Sequence, residues 1–221
     1  MIATFFIEYL FDPASQLFFG CVVITVVISI VLHELAHGWA AIWQGDDTPR
    51  QMGHMTGDPM VHMGGFSLLA LVLIGIAWGQ MPVNPNRFRS RYGGALVSVA
   101  GPAMNLLLAF LTLTALVVWV KATGGAKDGA AYNGQFFLRI FGWWNIVLAL
   151  FNLIPVPPLD GSAILGNFVP AYRRWVDSLS NPMFLFLILF VLIMSVPQLS
   201  PFKLGKVIME WYLGLYGLYL G

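Results

Sequence analysis

Long apolar stretches constrain this chain more than any other feature, because they determine which solvent surrounds it. The first runs from about residue 16 to residue 44, and comparable stretches cover about 95–120 and 134–154. A helix of about 20 apolar residues crosses the roughly 30 Å hydrocarbon layer of a bilayer. Only 10% of the 221 residues are charged, against about 25% in an ordinary soluble domain. The sequence therefore predicts an integral, multi-pass membrane protein.

The fold class that we expect is all-α, a polytopic transmembrane helix bundle. No long polar block separates the apolar stretches, so residues 1–221 are interpreted as one membrane domain with a core over 16–166 and further helices within 182–221. The segment 66–79 is too short for an upright crossing and is predicted to form a re-entrant or membrane-embedded hairpin. Glycines and alternation over 52–65 favour a short β-strand there, able to pair with an extended substrate.

Two short apolar segments follow a polar stretch near the C-terminus. They cover about residues 182–196 and 206–220, with Lys203 and Lys206 expected between them. Each is short for a full crossing, and the sequence leaves open whether they span.

Arginine positions suggest an orientation. They gather at Arg50, at 87–91 and at 173–174, and cytoplasmic loops collect such residues. All three groups are cytoplasmic only if the segment 66–79 enters and leaves on one face. The first and third long helices then run parallel, from outside to inside, and their C-terminal ends lie at similar depth, nearer the cytoplasmic face.

The charge balance and the cysteine content exclude some classes of protein. Eleven basic and ten acidic residues give a net charge of +1, which provides no reason to expect a nucleic acid partner. A single cysteine, Cys21, excludes an internal disulfide and a zinc motif built from several cysteines.

Three titratable residues interrupt the first long helix, in the sequence "HELAH" at 33–37. On a helix His33 and His37 are one turn apart and project from the same face, so both imidazoles can bind one metal ion. Glu34 lies beside them, where it can act on a water molecule. The alternative is a pair of hydrogen-bonded core histidines, but ionisable groups inside a bilayer are costly and usually mark a functional site. We therefore favour a metal site.

A third metal ligand is expected, because catalytic zinc sites usually have three protein ligands and an open fourth position. Asp160 in "NLIPVPPLDG" is the best candidate, since the orientation argument brings it to the depth of "HELAH". The prolines before it end the preceding helix and free the chain to turn. Taken alone, "PPLDG" is more typical of an ordinary turn.

The ordered set of motifs resembles the site-2 protease family of intramembrane zinc metalloproteases. "HELAH", then "AGPAMN" at 100–105, then "NLIPVPPLDG" at 152–161 carry the likeness, which is closest to small members without PDZ or CBS domains. The resemblance implies one zinc ion per chain, with His33, His37 and Asp160 as its ligands and Glu34 as the general base. It also implies that Asn152 positions substrate or stabilises the oxyanion, and that Asn105 has a structural role.

By that resemblance the protein hydrolyses peptide bonds within or near the transmembrane segments of substrate proteins, so its partners are those substrates and the lipid bilayer. His62 matches a family histidine, whereas His54 does not. Two other readings remain open: a zinc-binding transporter or sensor without protease activity, and a structural membrane protein with an idle motif. A transporter needs polar residues on several helices, and the stretches 95–120 and 182–196 offer few.

Overall fold

A computed structural model describes residues 5–196 and 200–219, apart from the side chain of Met194. Over those residues the chain is helical, with no β-strand, and the expected all-α class is confirmed. In chain order the helices are α1 (Glu8–Phe11), α2 (Gln16–Trp43), α3 (Thr48–Gln51), α4 (Pro59–Ile74), α5 (Gly93–Thr123), α6 (Gly129–Asn152), α7 (Asp160–Phe168), α8 (Pro170–Asp177), α9 (Pro182–Ser195) and α10 (Pro201–Gly214).

Three of these helices, α2, α5 and α6, are long and apolar enough to cross a membrane. A fourth crossing is formed if α8 and α9, which bend by 105° at a short break, are counted as one span. With 16 residues, α4 is about 24 Å long at 1.5 Å per residue, which is short of the hydrocarbon thickness. The chain is thus an integral, polytopic membrane protein.

Small residues allow α5 and α6 to approach closely. A Cβ atom added to Gly142 of α6 would lie 2.5 Å from the Leu113 side chain of α5, and Ala109 and Ala149 are buried. Because lipid tails are as apolar as leucine, helices in a bilayer associate through such close packing and through interhelical hydrogen bonds. Helices α5 and α6 are therefore closely packed, and α2 lies against both of them.

The segment after α3 forms a hairpin of one helix and one extended chain. Helix α4 bends at Gly64, which is in the left-handed region at φ +69°, and ends at Gly75, at φ +75°. Residues 76–84 then return without helix or strand pairing as far as a short 3-10 turn at 85–87. The hairpin expected over 66–79 is therefore found, with Gly75 as its reversal point.

Side-chain and backbone hydrogen bonds hold the returning segment against α4. The Ser67 hydroxyl donates to the carbonyl of Trp78 at 2.7 Å and accepts from its N–H at 2.9 Å. The Gln80 N–H donates to the carbonyl of His62 at 3.0 Å. Trp78 and Gln80 are alternate residues that both bond towards α4, which is the pattern of an extended chain.

The prediction of a β-strand over 52–65 is wrong. Helix α4 begins at Pro59, and the Asp58 carboxylate accepts the N–H of Met60 at 2.8 Å. An N-cap aspartate followed by proline at the first helical position is a strong helix start, and it outweighs the glycines and the alternation. The extended element lies later, at 76–84.

The last helix is also displaced from its expected range of 206–220. It starts at Pro201, after the Ser200 hydroxyl accepts the N–H of Phe202, and it ends at Gly214. Lys203 and Lys206 lie inside it rather than between two helices, because the serine cap and the proline start the helix earlier than hydropathy suggests. Leu220 is outside the described residues.

Helix α2 ends in a glycine cap that sets the path of the following loop. Gly45 has φ +97°, and its N–H bonds to Ile42 while the N–H of Asp46 bonds to Ala41. This pattern is the Schellman motif, in which a left-handed glycine satisfies the last carbonyls of the helix.

Asp46 then joins the end of α2 to the loop before α5. Its buried carboxylate accepts N–H bonds from Asn84 at 2.6 Å and Thr48 at 3.1 Å, and Arg87 lies 3.9 Å away. Burial by itself would raise the pKa of Asp46, but the hydrogen bonds and the Arg87 charge together lower the pKa below its usual range. The ionised carboxylate therefore stabilises the folded state.

Asp46→Asn is expected to lower the free energy of unfolding by about 1–3 kcal/mol near pH 7, because the new amide N–H would face backbone donors. The pKa of Asp46 is lower in the folded than in the unfolded protein. Its carboxylate therefore contributes its full stabilisation above the unfolded-state pKa of about 3.9, and this stabilisation is lost as pH falls through the folded-state pKa. Thermal unfolding in detergent at about pH 7 and about pH 3 measures both effects.

The matched control is Asp47→Asn, which alters an exposed carboxylate 3.2 Å from Arg50 and should change stability very little. Equal destabilisation by the two variants, or a difference between wild type and Asp46→Asn that does not shrink in acid, would contradict this account of Asp46.

Candidate metal centre

The three titratable residues of α2 lie in the C-terminal half of that helix. His33, Glu34 and His37 are buried, each less than 9% exposed. Because the histidines are one turn apart, their rings meet edge to face and their Nε2 atoms are 3.0 Å apart. Helical geometry alone thus brings two ligand atoms together.

Asp160 reaches the histidine pair from the other side of the bundle. It is the first residue of α7, and its carboxylate oxygens lie 3.1 Å from Nε2 of His33 and 3.3 Å from Nε2 of His37. The chain can turn back here because Gly161 has no side chain: an added Cβ would lie 2.2 Å from the carbonyl oxygen of Leu153. The structure therefore brings together the three residues that the sequence selected as ligands.

Hydrogen bonds at the far side of each ring fix where the imidazole protons are. Nδ1 of His37 lies 2.7 Å from the carbonyl of Val97, which can only accept, so Nδ1 donates. Nδ1 of His33 lies 2.6 Å from Oδ1 of Asn105 and donates in the same way. In its neutral form each ring therefore presents the lone pair of Nε2 to the other histidine and to a carboxylate.

This convergence of acceptors suits a cation. Two imidazole nitrogens and one carboxylate lie within 4.8 Å of one another, and one Asp160 oxygen is buried without a hydrogen-bond partner among the described residues. Two ligands of a tetrahedral zinc ion, each about 2.0–2.2 Å from the metal, are about 3.3 Å apart, close to the separations here. Nitrogen and oxygen donors of this kind, three in number, match a catalytic zinc site.

Gly101 of α5 makes room for the histidine pair. A Cβ added there would lie 2.4 Å from Nε2 of His33 and 2.5 Å from Nε2 of His37. The glycine of "AGPAMN" is therefore required by the close approach of α5 to the two imidazoles.

A cavity of about 680 Å³ adjoins the cluster. Glu34 lines it beside the histidines, and the extended segment 76–83 forms one wall, so close that a Cβ on Gly79 would lie 2.6 Å from Oε1 of Glu34. Met183 and Phe186 of α9 contribute to the lining. The glutamate and the histidine pair therefore face one shared cavity.

Asn152, the last residue of α6, also lines this cavity. Its Nδ2 donates to the carbonyl of Leu148 at 3.1 Å, which uses one of the two amide hydrogens. The second hydrogen is available to a group bound in the cavity.

His54 and His62 differ in their surroundings. The buried His62 donates from Nε2 to the carbonyl of Thr56 at 2.7 Å, whereas the half-buried His54 bonds to the carbonyl of Met52. Neither is among the described residues that line the cavity. The backbone carbonyl of His62 accepts the N–H of Gln80 in the returning segment that lines the cavity.

Two buried polar residues behind the histidine pair, Asn145 and Ser29, were not identified from the sequence. Asn105 donates to Asn145 at 2.9 Å, and Asn145 donates to the Ser29 hydroxyl at 2.9 Å, with both asparagines fully buried. Asn145 lies outside every motif, and the available signal was only its buried depth within an apolar helix, where a polar side chain needs a partner.

Comparisons with known proteins agree with one another. The family model "Peptidase family M50" matches residues 21–196. "Putative zinc metalloprotease YwhC" of Bacillus subtilis (strain 168) is 39% identical over 190 residues, which cover 83% of this chain and 85% of that protein. "Putative zinc metalloprotease Rip2" of Mycobacterium tuberculosis (strain H37Rv) is 29% identical over 198 residues, covering 86% and 72%. No solved structure gives a significant match.

Proposed function

The chain belongs to peptidase family M50, and from that membership we propose that it is an intramembrane zinc protease that hydrolyses peptide bonds within or near membrane-spanning segments of other proteins. In this proposal one zinc ion is held by His33, His37 and Asp160. The observation that carries it is the position of this acceptor cluster: two of its ligands lie within an apolar helix long enough to cross a bilayer, beside a cavity that contains a glutamate.

The chemistry is divided between the metal and two side chains, Glu34 and Asn152. When bound, zinc supplies a Lewis acid that polarises the scissile carbonyl and makes water more acidic. Glu34 takes a proton from the water molecule while the water oxygen bonds to the scissile carbonyl carbon. Glu34 then delivers that proton to the peptide nitrogen when the C–N bond breaks. The free amide hydrogen of Asn152 donates to the oxygen on which negative charge develops.

A substrate helix must unwind before it can be cut, because its backbone groups are already hydrogen-bonded to one another. The segment 76–83 provides replacement partners. Its bonds to α4 come from residues 78 and 80, so the N–H and C=O groups of 77, 79 and 81 point to the opposite side. Those groups make no backbone hydrogen bond within the described residues, and a substrate strand pairs with them beside Glu34.

Met81→Pro is expected to reduce cleavage about five- to tenfold, because it removes one such N–H, while zinc content stays the same; the size follows from losing about 1–1.5 kcal/mol of hydrogen bonding. Gln80, the residue before Met81, is already part of the extended segment, and an extended conformation is the one that a following proline favours. Met81→Leu keeps the N–H and a similar side-chain volume, and it serves as the control in the same assay. Equal activity of the two variants would exclude pairing at this residue.

We also propose that the site lies nearer the cytoplasmic face. The cluster lies in the C-terminal half of α2 and shares a cavity with Asn152, the last residue of α6. Arg50 in the short helix α3 and Arg87 in the 3-10 turn follow the C-terminal end of α2, with Arg87 3.9 Å from Asp46, and basic residues gather on the cytoplasmic side. A cysteine placed at the exposed Gln51, in a Cys21→Ser background, should react with an impermeant maleimide only from the cytoplasmic side. Labelling from the outside would reverse the orientation.

The experiment that tests the function is cleavage of apolar helical segments by the purified protein in detergent, with the cut sites mapped by mass spectrometry. Cuts within the apolar segment, lost on chelation and restored by zinc, are expected. If cleavage by the purified protein is unaffected by metal removal, or if it is confined to soluble loops, the proposal fails.

A further inference from the structure

A series of buried hydrogen bonds starts at the candidate ligand His33 on α2, passes through α5 and α6, and returns to α2. His33 of α2 bonds to Asn105 of α5 at 2.6 Å, Asn105 bonds to Asn145 of α6 at 2.9 Å, and Asn145 bonds to Ser29 of α2 at 2.9 Å. Asn145 also bonds to the carbonyl of Phe141 at 2.9 Å. Ser29, Asn105 and Asn145 are all 0% exposed, so solvent does not compete for these groups.

The carbonyl of Phe141 determines the direction of every bond in this chain. A carbonyl oxygen only accepts, so the atom of Asn145 next to it must be Nδ2. Oδ1 of Asn145 then faces Asn105 and accepts a hydrogen bond from its Nδ2. Oδ1 of Asn105 consequently faces His33 and accepts a hydrogen bond from Nδ1–H. The Phe141 carbonyl therefore determines the orientation of both asparagine amides and places the proton of His33 on Nδ1.

We infer that Asn145 is a positioning residue for the metal centre: through Asn105 it keeps the proton of His33 on Nδ1, so that the lone pair of Nε2 faces His37 and Asp160. This inference rests on the proposed zinc site. In the opposite tautomer the proton on Nε2 would point at the neighbouring acceptors, 3.0 Å and 3.1 Å away, and His33 could not bind a metal. Outer partners of ligating histidines commonly select the tautomer in this way.

Neighbouring residues contribute less than Asn145 does. Ser29 accepts the second hydrogen of Nδ2, but the Phe141 carbonyl orients the amide without it, so Ser29→Ala should have little effect. His37 is oriented independently by the Val97 carbonyl. Only the tautomer of His33 thus depends on Asn145, which acts through Asn105 and does not itself contact the ligand cluster.

The test compares zinc affinity in Asn145→Leu, which keeps the branched shape and the number of heavy atoms of the side chain, with that of wild type and of Thr25→Val. Thr25 is a fully buried polar residue of α2 outside this chain of bonds, so its replacement controls for loss of a buried polar group. Zinc binding measured by chelator competition should weaken about 10- to 100-fold in Asn145→Leu and stay near wild type in Thr25→Val. The visible absorption spectrum of the cobalt(II) form should change only in the former.

A second variant separates positioning from a merely structural role. In Asn105→Asp both carboxylate oxygens accept, so His33 finds its acceptor whichever way the side chain faces. Adding Asn105→Asp to Asn145→Leu should therefore restore most of the zinc affinity. Wild-type affinity in Asn145→Leu, or a loss that Asn105→Asp leaves unrepaired, would overturn the inference.

A metal-free readout distinguishes failure of this inference from failure of the zinc proposal. Nitrogen-15 NMR of histidine-labelled, zinc-free protein, recorded at alkaline pH where the imidazoles are neutral, should find His33 protonated on Nδ1 in wild type and as a tautomer mixture in Asn145→Leu. The same tautomer in both proteins would overturn the inference even if zinc binds. Absence of zinc from wild type would instead overturn the proposed function.

Discussion

Glu34→Gln is expected to slow peptide hydrolysis by about a hundred- to ten-thousand-fold, the usual contribution of a general base, and to leave zinc binding intact. Glutamine has the same shape and fits beside Gly79, but its amide neither takes a proton from water nor returns one to the leaving nitrogen. The proposed ligands are His33, His37 and Asp160, so the donor set is unchanged. The measurement is kcat with a transmembrane substrate, together with zinc content.

The matched control is Glu210→Gln, the same substitution at a half-exposed glutamate of α10 that pairs with Lys206 at 3.5 Å. It should cleave at the wild-type rate. Wild-type activity in Glu34→Gln would remove Glu34 from the mechanism, whereas loss of zinc from that variant would mean that the glutamate holds the metal.

Gly101→Ala is expected to remove most of the bound zinc and with it the activity. The new Cβ would lie about 2.5 Å from both ligand nitrogens, and the histidine rings cannot withdraw, because Val97 and Asn105 hold their far sides. Zinc binding should weaken at least about tenfold, the lower limit for changes around metal ligands. Zinc content and chelator competition measure this effect.

Gly20→Ala is the matched control, since Gly20 lies on α2 with nothing within 4 Å of an added Cβ. Alanine is a better helix former than glycine, so this variant should fold and bind zinc normally. Full zinc occupancy in Gly101→Ala would show that α5 does not approach the histidines as closely as described.

Local sequence rules predicted much of the candidate site. The spacing of His33 and His37 follows from one helical turn, and the depth of Asp160 followed from the parallel course of two long helices. The structure brings these three residues together, and the roles assigned to them stay predictions until they are measured. Membrane thickness likewise explains why the segment 66–79 forms a hairpin.

Other features depend on packing that no local pattern encodes. The glycine of "AGPAMN" has its purpose only where α5 meets the histidines, and Asn145 acquires its partners only when α2, α5 and α6 come together. The strand expected over 52–65 is wrong for a different reason: the helix start at Asp58–Pro59 is a local signal that outweighs the glycines and the alternation. The extended wall of the cavity therefore lies at 76–83, after Gly75 reverses the chain.

The most direct test of the central claim pairs zinc content with cleavage for wild type and Asp160→Asn purified in detergent. Asparagine keeps the shape of the side chain but replaces an anionic ligand with a weak neutral one. Wild type should contain one zinc ion per chain and cleave a transmembrane substrate, while Asp160→Asn should lose both properties and keep its helical content. Full zinc and full cleavage in Asp160→Asn would contradict the claim that the histidine pair and Asp160 form the metal centre.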